Sequence, residues 1–268
     1  MRTIVHLSDL HFGRLDRRVV PPLIAAVHEL VPDLVTISGD FTQRARVRQF
    51  AEARSFLDAL PRPHLVVPGN HDIPLYDFGR RFLRPLSRYR RFIADDVEPM
   101  MADGEMVVLG LNSARSLSFG RGRLSEAQVR RAVERLRGVA PNVIKIVVTH
   151  HPFDLPDQFD ADYLVGRAEM AMAQLATVGA DVFLAGHLHV SHIGHTAERY
   201  KIAGHSALVV QAGTISTRER GEPNSFNVLR LDWPGISVAR RTWDETREVF
   251  VESPVRTFGH TAQGWLEE

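Results

Sequence analysis

A chain of 268 residues, 44% hydrophobic and 24% charged, is long enough to bury a substantial core and needs no covalent staples. It has no cysteine, which excludes a disulfide framework and any thiolate-held zinc or iron–sulfur centre, so a metal would have to be held by nitrogen and oxygen. A net charge of +1 gives no bias towards nucleic acid or an anionic membrane, and with neither an apolar leader nor an uncharged apolar run of about eighteen residues the expected location is the cytoplasm.

In chain order, the first element is the apolar, β-branched run TIVHLS, read as a strand that leads into Asp9 and His11. A helical pattern over Val19 to Leu30 follows, with Pro21 and Pro22 near its first turn, where a missing N–H is harmless. LVTIS ends in Gly39-Asp40, a second helix is expected over Val47 to Leu60, and HLVVP ends in Gly69-Asn70-His71-Asp72. The basic, irregular stretch from Tyr76 to Asp103 reads as a helical insertion over the sheet edge. A helix over Ser125 to Arg137 opens with the capping-box pair Ser125 and Gln128. IKIVVT then ends in His150-His151, and DVFLA ends in Gly186-His187, within the histidine-rich stretch AGHLHVSHIGH. Continuous apolar strands suit a sheet buried on both faces, and their alternation with helices gives a layered α/β architecture. After His195, the runs ALVVQAG, FNVLRLD and ISVARRTW read as strands without intervening helices, expected to supply antiparallel strands to a second sheet.

In open α/β sheets, ligands bind beyond the carboxyl ends of strands, where loops diverge and side chains converge. Five such ends here carry Asp9 and His11, Asp40, Asn70 and His71, His150 and His151, and His187 and His189. One Asp or His at a strand end is mostly structural, but five polar clusters in succession are not accounted for in that way. Carboxylate, carboxamide and imidazole without thiolate suit manganese, iron or zinc. The set exceeds the needs of one tetrahedral ion and fits two. Ions about 3.5–4 Å apart need a bridge, best supplied by a carboxylate with each oxygen facing one ion. Such a pair polarises a phosphoryl oxygen and holds a bridging hydroxide as nucleophile, so phosphate-ester hydrolysis is the expected chemistry.

The ordered set Asp9-Leu10-His11, Gly39-Asp40, Gly69-Asn70-His71-Asp72, His150-His151-Pro152 and Gly186-His187-Leu188-His189 resembles the calcineurin-like metallophosphoesterases over residues 9 to 189. In general form the opening TIVHLSDLHFG and the later QAGTISTRERGEPNSFNVLRLD are most similar to the bacterial class III cyclic nucleotide phosphodiesterase branch. The resemblance implies an α/β fold, a four-layer α/β/β/α sandwich of two mixed sheets flanked by helices. It implies a single domain over residues 1–268, with a motif-bearing α/β part at 1–195 and a mainly β C-terminal part at 196–268. It further implies two divalent ions (Mn, Fe or Zn), with Asp9, His11 and His189 as ligands of the first, Asn70, His150 and His187 as ligands of the second, and Asp40 as the bridge. His71 corresponds to the non-ligand histidine that stabilises developing charge or protonates the leaving oxygen. Asp72 is either its orienting partner or a turn residue. His151, kept extended by Pro152 and placed by strand alternation on the face opposite His150, is expected to pack or support. His192 and His195 have no role in the motif, and His6 and His28 read as structural.

The implied function is hydrolysis of a small phosphodiester, with a cyclic nucleotide foremost; the alternatives are a phosphomonoesterase, a nuclease or a non-catalytic binding scaffold. A nuclease calls for a basic channel with aromatic stacking positions, and this chain is nearly neutral with its aromatics unclustered, so nucleic acid is not expected as a partner, nor is a membrane. A scaffold that had lost its metals would lack several ligands. Specificity falls to the loops Asn112 to Arg123, the insertion after Asp72, and Arg218 to Asn224, while the irregular regions offer a surface for a homodimer.

Overall fold

Apolar side chains on both faces of a strand require a core on each side, and the strands divide their residues accordingly. In the computed structural model, which describes residues 1–118, 120–200, 202 and 205–268, strand β1 (Arg2–Leu7) sends Val5 and Leu7 into one core and Ile4 into another. Helix α1 (Val20–Glu29), strand β2 (Leu34–Ile37), helix α2 (Val47–Ala59) and strand β3 (His64–Val66) follow, then the short helices α3 (Phe78–Leu83) and α4 (Ser87–Phe92). The second part of the α/β region is β4 (Met100–Ala102), β5 (Met106–Gly110), α5 (Glu126–Leu136), β6 (Ile144–Val148), α6 (Ala168–Ala176) and β7 (Val182–Ala185). It is completed by β8 (His192–His195), the single-turn α7 (Thr196–Arg199) and β9 (Leu208–Gln211). The C-terminal strands are β10 (Ser225–Asp232), β11 (Gly235–Asp244), β12 (Val249–Glu252), β13 (Arg256–Thr261) and β14 (Gly264–Glu267).

One sheet has the order β14-β13-β11-β10-β1-β2-β3, with β12 paired to β11, and the other the order β4-β5-β6-β7-β9-β8. Both are mixed, since β1–β2–β3 and β5–β6–β7–β9 are parallel runs while β10 and β8 pair antiparallel. Ile4, Val108, Ile146, Leu184, Val210 and Leu229 fill the space between the sheets. Leu23, Phe50, Phe56 and Tyr89 pack the helices α1, α2 and α4 on the outer face of the first, and Val129, Leu136, Met172 and Leu175 pack α5 and α6 on the outer face of the second. The result is a four-layer α/β/β/α sandwich of two mixed sheets. Among the described residues no helix is long and apolar enough to cross a membrane.

One sequence expectation needs correction: the run ALVVQAG becomes β9 and pairs parallel to β7, where an antiparallel strand was expected. FNVLRLD and ISVARRTW supply antiparallel strands as expected: β10 pairs along β1, with Val5 opposite Val228, and β11 to β14 extend the same sheet. Without β10, β1 would expose a row of unpaired N–H and C=O groups. The single-turn α7 begins at Thr196, ahead of β9, and the three runs follow one another as β9, β10 and β11 without an intervening helix among the described residues. The stretch from Tyr76 to Asp103 is helical as expected, with two short helices, and it ends in the edge strand β4 that the sequence reading did not include. The helix boundaries agree within a residue of those read from the sequence, and the Ser125 capping box is reciprocal: Ser125 Oγ accepts from Gln128 N at 3.2 Å and Gln128 Oε1 from Ser125 N at 3.0 Å.

Candidate metal centre

The carboxyl ends of β1, β2 and β3 meet those of β6 and β7 along one edge of the sandwich, and hydrogen bonds lace the five loops together. Asp9 N donates to Gly39 O at 3.1 Å and His11 N to Asp40 O at 2.9 Å. Across the two sheets, His150 Nδ1 donates to Ser38 O at 2.8 Å, and His187 N donates to Asp9 Oδ2 at 2.8 Å. The loops are tight. Asp9, His11, Asp40, His187 and His189 all have φ between 45° and 73°, the left-handed region that costs a non-glycine residue about 1–3 kcal/mol. Gly39, at φ 98°, leaves no room for a side chain, since an added Cβ would lie 2.8 Å from both Gly69 N and His150 Nδ1.

These turns aim lone pairs at a common space. His189 Nε2 is 3.1 Å and His11 Nε2 3.5 Å from Asp9 Oδ1. The two Nε2 atoms are 3.0 Å from each other. Asp40 Oδ2 lies 3.6 Å from His11 Nε2 and 3.4 Å from His150 Nε2, which in turn is 3.1 Å from Asn70 Oδ1. The His187 ring stands 5.1 Å from that of His150. Asp9 Oδ1 is buried and closes no hydrogen bond, so a carboxylate oxygen is left with acceptors crowded around it. Such an arrangement is costly for a protein alone and is what a cation resolves. The nitrogen and oxygen donor set therefore fits divalent ions, and the sets Asp9-His11-His189 and Asp9-Asp40-His150 each bring their ligand atoms within 4.8 Å of one another. One expectation changes: Asp40 Oδ1 accepts from His71 N at 2.8 Å, so a single oxygen, Oδ2, faces both His11 and His150.

The electrostatics suit ligands. Burial opposes ionisation of Asp9, yet His189 and His11 outweigh it and hold the carboxyl well below its usual range; Asp40 is likewise lowered, with His150 and His71 overcoming burial. Burial lowers His11 to about 4 and His187 to about 3, keeping both rings neutral with lone pairs available. His150 is the exception. Burial opposes its charge, but Asp40 raises it to about 9.

His71 lies at the edge of this cluster, its ring 4.8 Å from that of His11. Its Nδ1 donates to Gln43 O at 2.9 Å, which turns Nε2 towards the centre. Asp72 does not touch the His71 ring. Its carboxylate accepts from Thr42 N at 2.9 Å, Gly69 N at 3.0 Å and Phe41 N at 3.2 Å, clipping the Asp40 loop to the Asn70 loop. Burial and the nearby Asp40 charge push it up to about 7. His151 is closer to the cluster than alternation predicted, 4.8 Å from the His150 ring, because β6 ends at Val148 and the chain bends after it. Both its ring nitrogens are engaged elsewhere, Nδ1 with Ser113 Oγ at 2.8 Å and Nε2 with Gly120 O at 3.0 Å.

His192 and His195 stand apart on β8, the first 3.7 Å from Asp154 Oδ2 and the second against the Phe258 ring. His6 is buried with Nε2 2.9 Å from Ser38 Oγ, and His28 Nε2 lies 2.9 Å from Ala59 O. A cleft of about 580 Å³ opens on the centre, lined by Asn70, His71 and His187 together with Arg44, Arg121 and Tyr163. All three loops assigned to specificity reach it or the centre. The insertion after Asp72 contributes Ile73, Leu75 and Arg81, and the loop over residues 112–123, of which residue 119 lies outside the described residues, contributes Gly120 and Arg121.

Arg218 is the residue to which sequence reasoning gave a loop but no role. Its Nη1 donates to His71 Nε2 at 3.0 Å and lies 3.3 Å from His11 Nε2, while its carbonyl accepts from His189 Nδ1 at 2.7 Å. The signal shows only in the fold: ALVVQAG, read as antiparallel from the sequence, becomes β9 parallel to β7, so the strand-end rule applies to it as well.

A family model described as calcineurin-like phosphoesterase matches residues 2–191. Over 80 residues the chain is 31% identical to the glycerophosphodiester phosphodiesterase GpdQ of Enterobacter lignolyticus, a match covering 26% of this chain and 29% of that relative's length. A dimetal phosphatase from Danio rerio has a similar fold, with a TM-score of 0.68 at 15% identity over 94% of this chain and 98% of the other. The purple acid phosphatase PPD1 from yellow lupin (Lupinus luteus) seeds aligns with a TM-score of 0.69 at 11% identity, covering 90% of this chain and 51% of the phosphatase. From the match over most of its length, the chain belongs to the calcineurin-like phosphoesterase family.

Proposed function

We propose that the protein is a dinuclear-metal phosphodiesterase of the cytoplasm that hydrolyses a small phosphodiester, with a cyclic nucleotide as the foremost substrate. The observation that carries this reading is the shared position of Asp40 Oδ2, 3.6 Å from His11 Nε2 on one side and 3.4 Å from His150 Nε2 on the other. Two divalent ions bound there supply Lewis-acid polarisation of the phosphoryl group and a nucleophile from water at neutral pH. Asp9, His11 and His189 hold one, Asn70, His150 and His187 the other, and Asp40 belongs to both.

The remaining work falls to the chain's own groups. Arg218 offers a guanidinium N–H beside the ligand cluster, where it binds a phosphoryl oxygen by a charge-assisted hydrogen bond. Once Arg218 turns to the substrate, His71 Nε2 is freed to take up a proton from water, and the resulting imidazolium, its Nδ1 fixed on Gln43 O, passes that proton to the leaving oxygen and returns to the neutral form. Arg44 lines the cleft as a further cation for the diester, while Arg121 is paired there with Asp162 Oδ2 at 2.6 Å, and Tyr163 supplies an aromatic face for a base. The partial match to a glycerophosphodiester phosphodiesterase favours diesters over monoesters.

The test is a rate comparison on the manganese-supplemented protein with 3′,5′- and 2′,3′-cyclic nucleotides, a glycerophosphodiester, a nitrophenyl monoester and short nucleic acids. Turnover of at least one small diester should exceed that of the monoester by about tenfold or more. The reverse order, or preference for the nucleic acids, overturns the reading.

A further inference from the structure

Helix α3 is inside out. Phe78 and Phe82, one turn apart on the same face, are 60% and 49% exposed, and the flanking Tyr76 and Leu83 are 72% and 82% exposed. Arg81 of the same helix is buried, its Nη1 donating to Pro74 O at 3.0 Å. A single exposed leucine needs no explanation, but four large apolar side chains within one short segment do. The segment is also basic: residues 76–91 carry six arginines against one carboxylate, Asp77. Asp77 is already occupied by Arg80 and Arg88, and Arg90 pairs with Asp95 at 3.3 Å, leaving Arg84 and Arg91 exposed at the surface with no carboxylate partner among the described residues. This face borders the catalytic cleft, which Leu75 and Arg81 line.

We propose that this face seats the protein on an anionic lipid surface, with Tyr76, Phe78, Phe82 and Leu83 entering the headgroup region and Arg84 and Arg91 meeting the acidic headgroups. The contact is peripheral and departs from the expectation that the chain has no membrane partner. Aromatic and aliphatic side chains beside arginines, on an element far too short to span, form an interfacial contact. Charge chooses among the occupants. A second copy would oppose the same arginine-rich patch to itself across a twofold axis, like charge against like, whereas an acidic leaflet is complementary. The inference goes beyond the hydrolase reading and does not depend on it, because lipid binding requires no turnover.

The experiment is co-sedimentation of the full chain with vesicles of phosphatidylcholine alone and with about one third phosphatidylglycerol. Binding to the anionic vesicles should be about tenfold or more above the neutral ones and should weaken as salt is raised. Phe78→Ser/Phe82→Ser and Arg84→Glu/Arg91→Glu should each lower that binding about tenfold, with the melting temperature and the turnover of a soluble nitrophenyl diester unchanged. Equal partition between the two vesicles, no binding to either, or full binding by the Phe78→Ser/Phe82→Ser variant overturns the proposal. A wild-type dimer that dissociates in that variant, with no vesicle binding, assigns the face to a second copy and overturns it equally. Absence of diester turnover in wild type would strike the hydrolase reading alone.

Discussion

At the scale of single residues, the centre separates side chains that a motif scan would treat alike. Asp40 touches both halves of the ligand set through one oxygen, so Asp40→Ala should lower diester turnover by about three orders of magnitude or more, measured at verified metal content. His150 and His151 are adjacent, but only His150 turns a ring nitrogen, Nε2, towards Asp40 and Asn70, since both nitrogens of His151 are hydrogen-bonded to Ser113 and Gly120. Elemental analysis should find close to two ions per chain in His151→Ala and a clear deficit in His150→Ala; the opposite pattern would exchange their roles. Arg218 contacts His71 and His11 without being a carboxylate, amide or imidazole, which is why a search for ligand chemistry passes over it. Arg218→Ala should raise the KM for a diester about 10–100-fold with metal content retained. An unchanged KM would mean that the guanidinium only fills space.

At the scale of elements, what was legible is the strand that ends in a polar cluster. Apolar runs such as LVTIS announce burial on both faces, and their Gly-Asp or Gly-Asn ends announce a turn too tight for bulk. Gly39 is such a turn. Gly39→Ala should press on Gly69 and His150 and strain a left-handed φ, lowering the melting temperature and the metal content together, at a cost of about 1–3 kcal/mol in a denaturant titration. A normal denaturation midpoint with normal metal loading would show that the loop has slack. The strand β8 was not legible, because HIGH is half histidine and becomes a strand only through its pairing with β9, a tertiary effect on a sequence with little β-preference of its own. Nor could the partner of β1 be read, since Val5 opposite Val228 is a contact across most of the chain and leaves no local trace.

At the scale of the whole molecule, the buried histidines set how stability responds to acid. Burial lowers His6 to about 3, His11 to about 4 and His187 to about 3, while in the unfolded chain they take up protons near about 6.5. The unfolded state therefore gains protons first as pH falls below that value, and stability is lost. Asp72, raised to about 7, and Asp181, also raised by burial, act in the opposite sense over the acid range, against these three histidines and His64, His151 and His205, which burial lowers as well. His150, raised to about 9 by Asp40, contributes stability that is complete below about 6.5 and fades as pH rises towards 9. Chelator-treated protein should thus melt at its highest temperature near pH 6.5, about where these histidines titrate when unfolded. A melting temperature rising steadily to pH 9 would contradict the assignment.

The joint between the sheets carries a mechanical consequence. Asp9, His11, Asp40 and Asn70 hang from β1, β2 and β3, while His150, His187 and His189 hang from β6 and β7. Under the proposed assignment neither ion is held by one sheet alone: Asp9 and His11 face His189, and Asn70 faces His150 and His187. Each ion is then a rivet driven through both leaves of the sandwich at the edge where they splay, and prising the leaves apart means breaking coordination bonds rather than sliding methyl groups past one another. A chain with no cysteine would in this way acquire a reversible cross-link, one that the cell can fit or withdraw by controlling the supply of metal, so that the joint holding the mouth of the cleft in shape and the chemistry performed there come and go together.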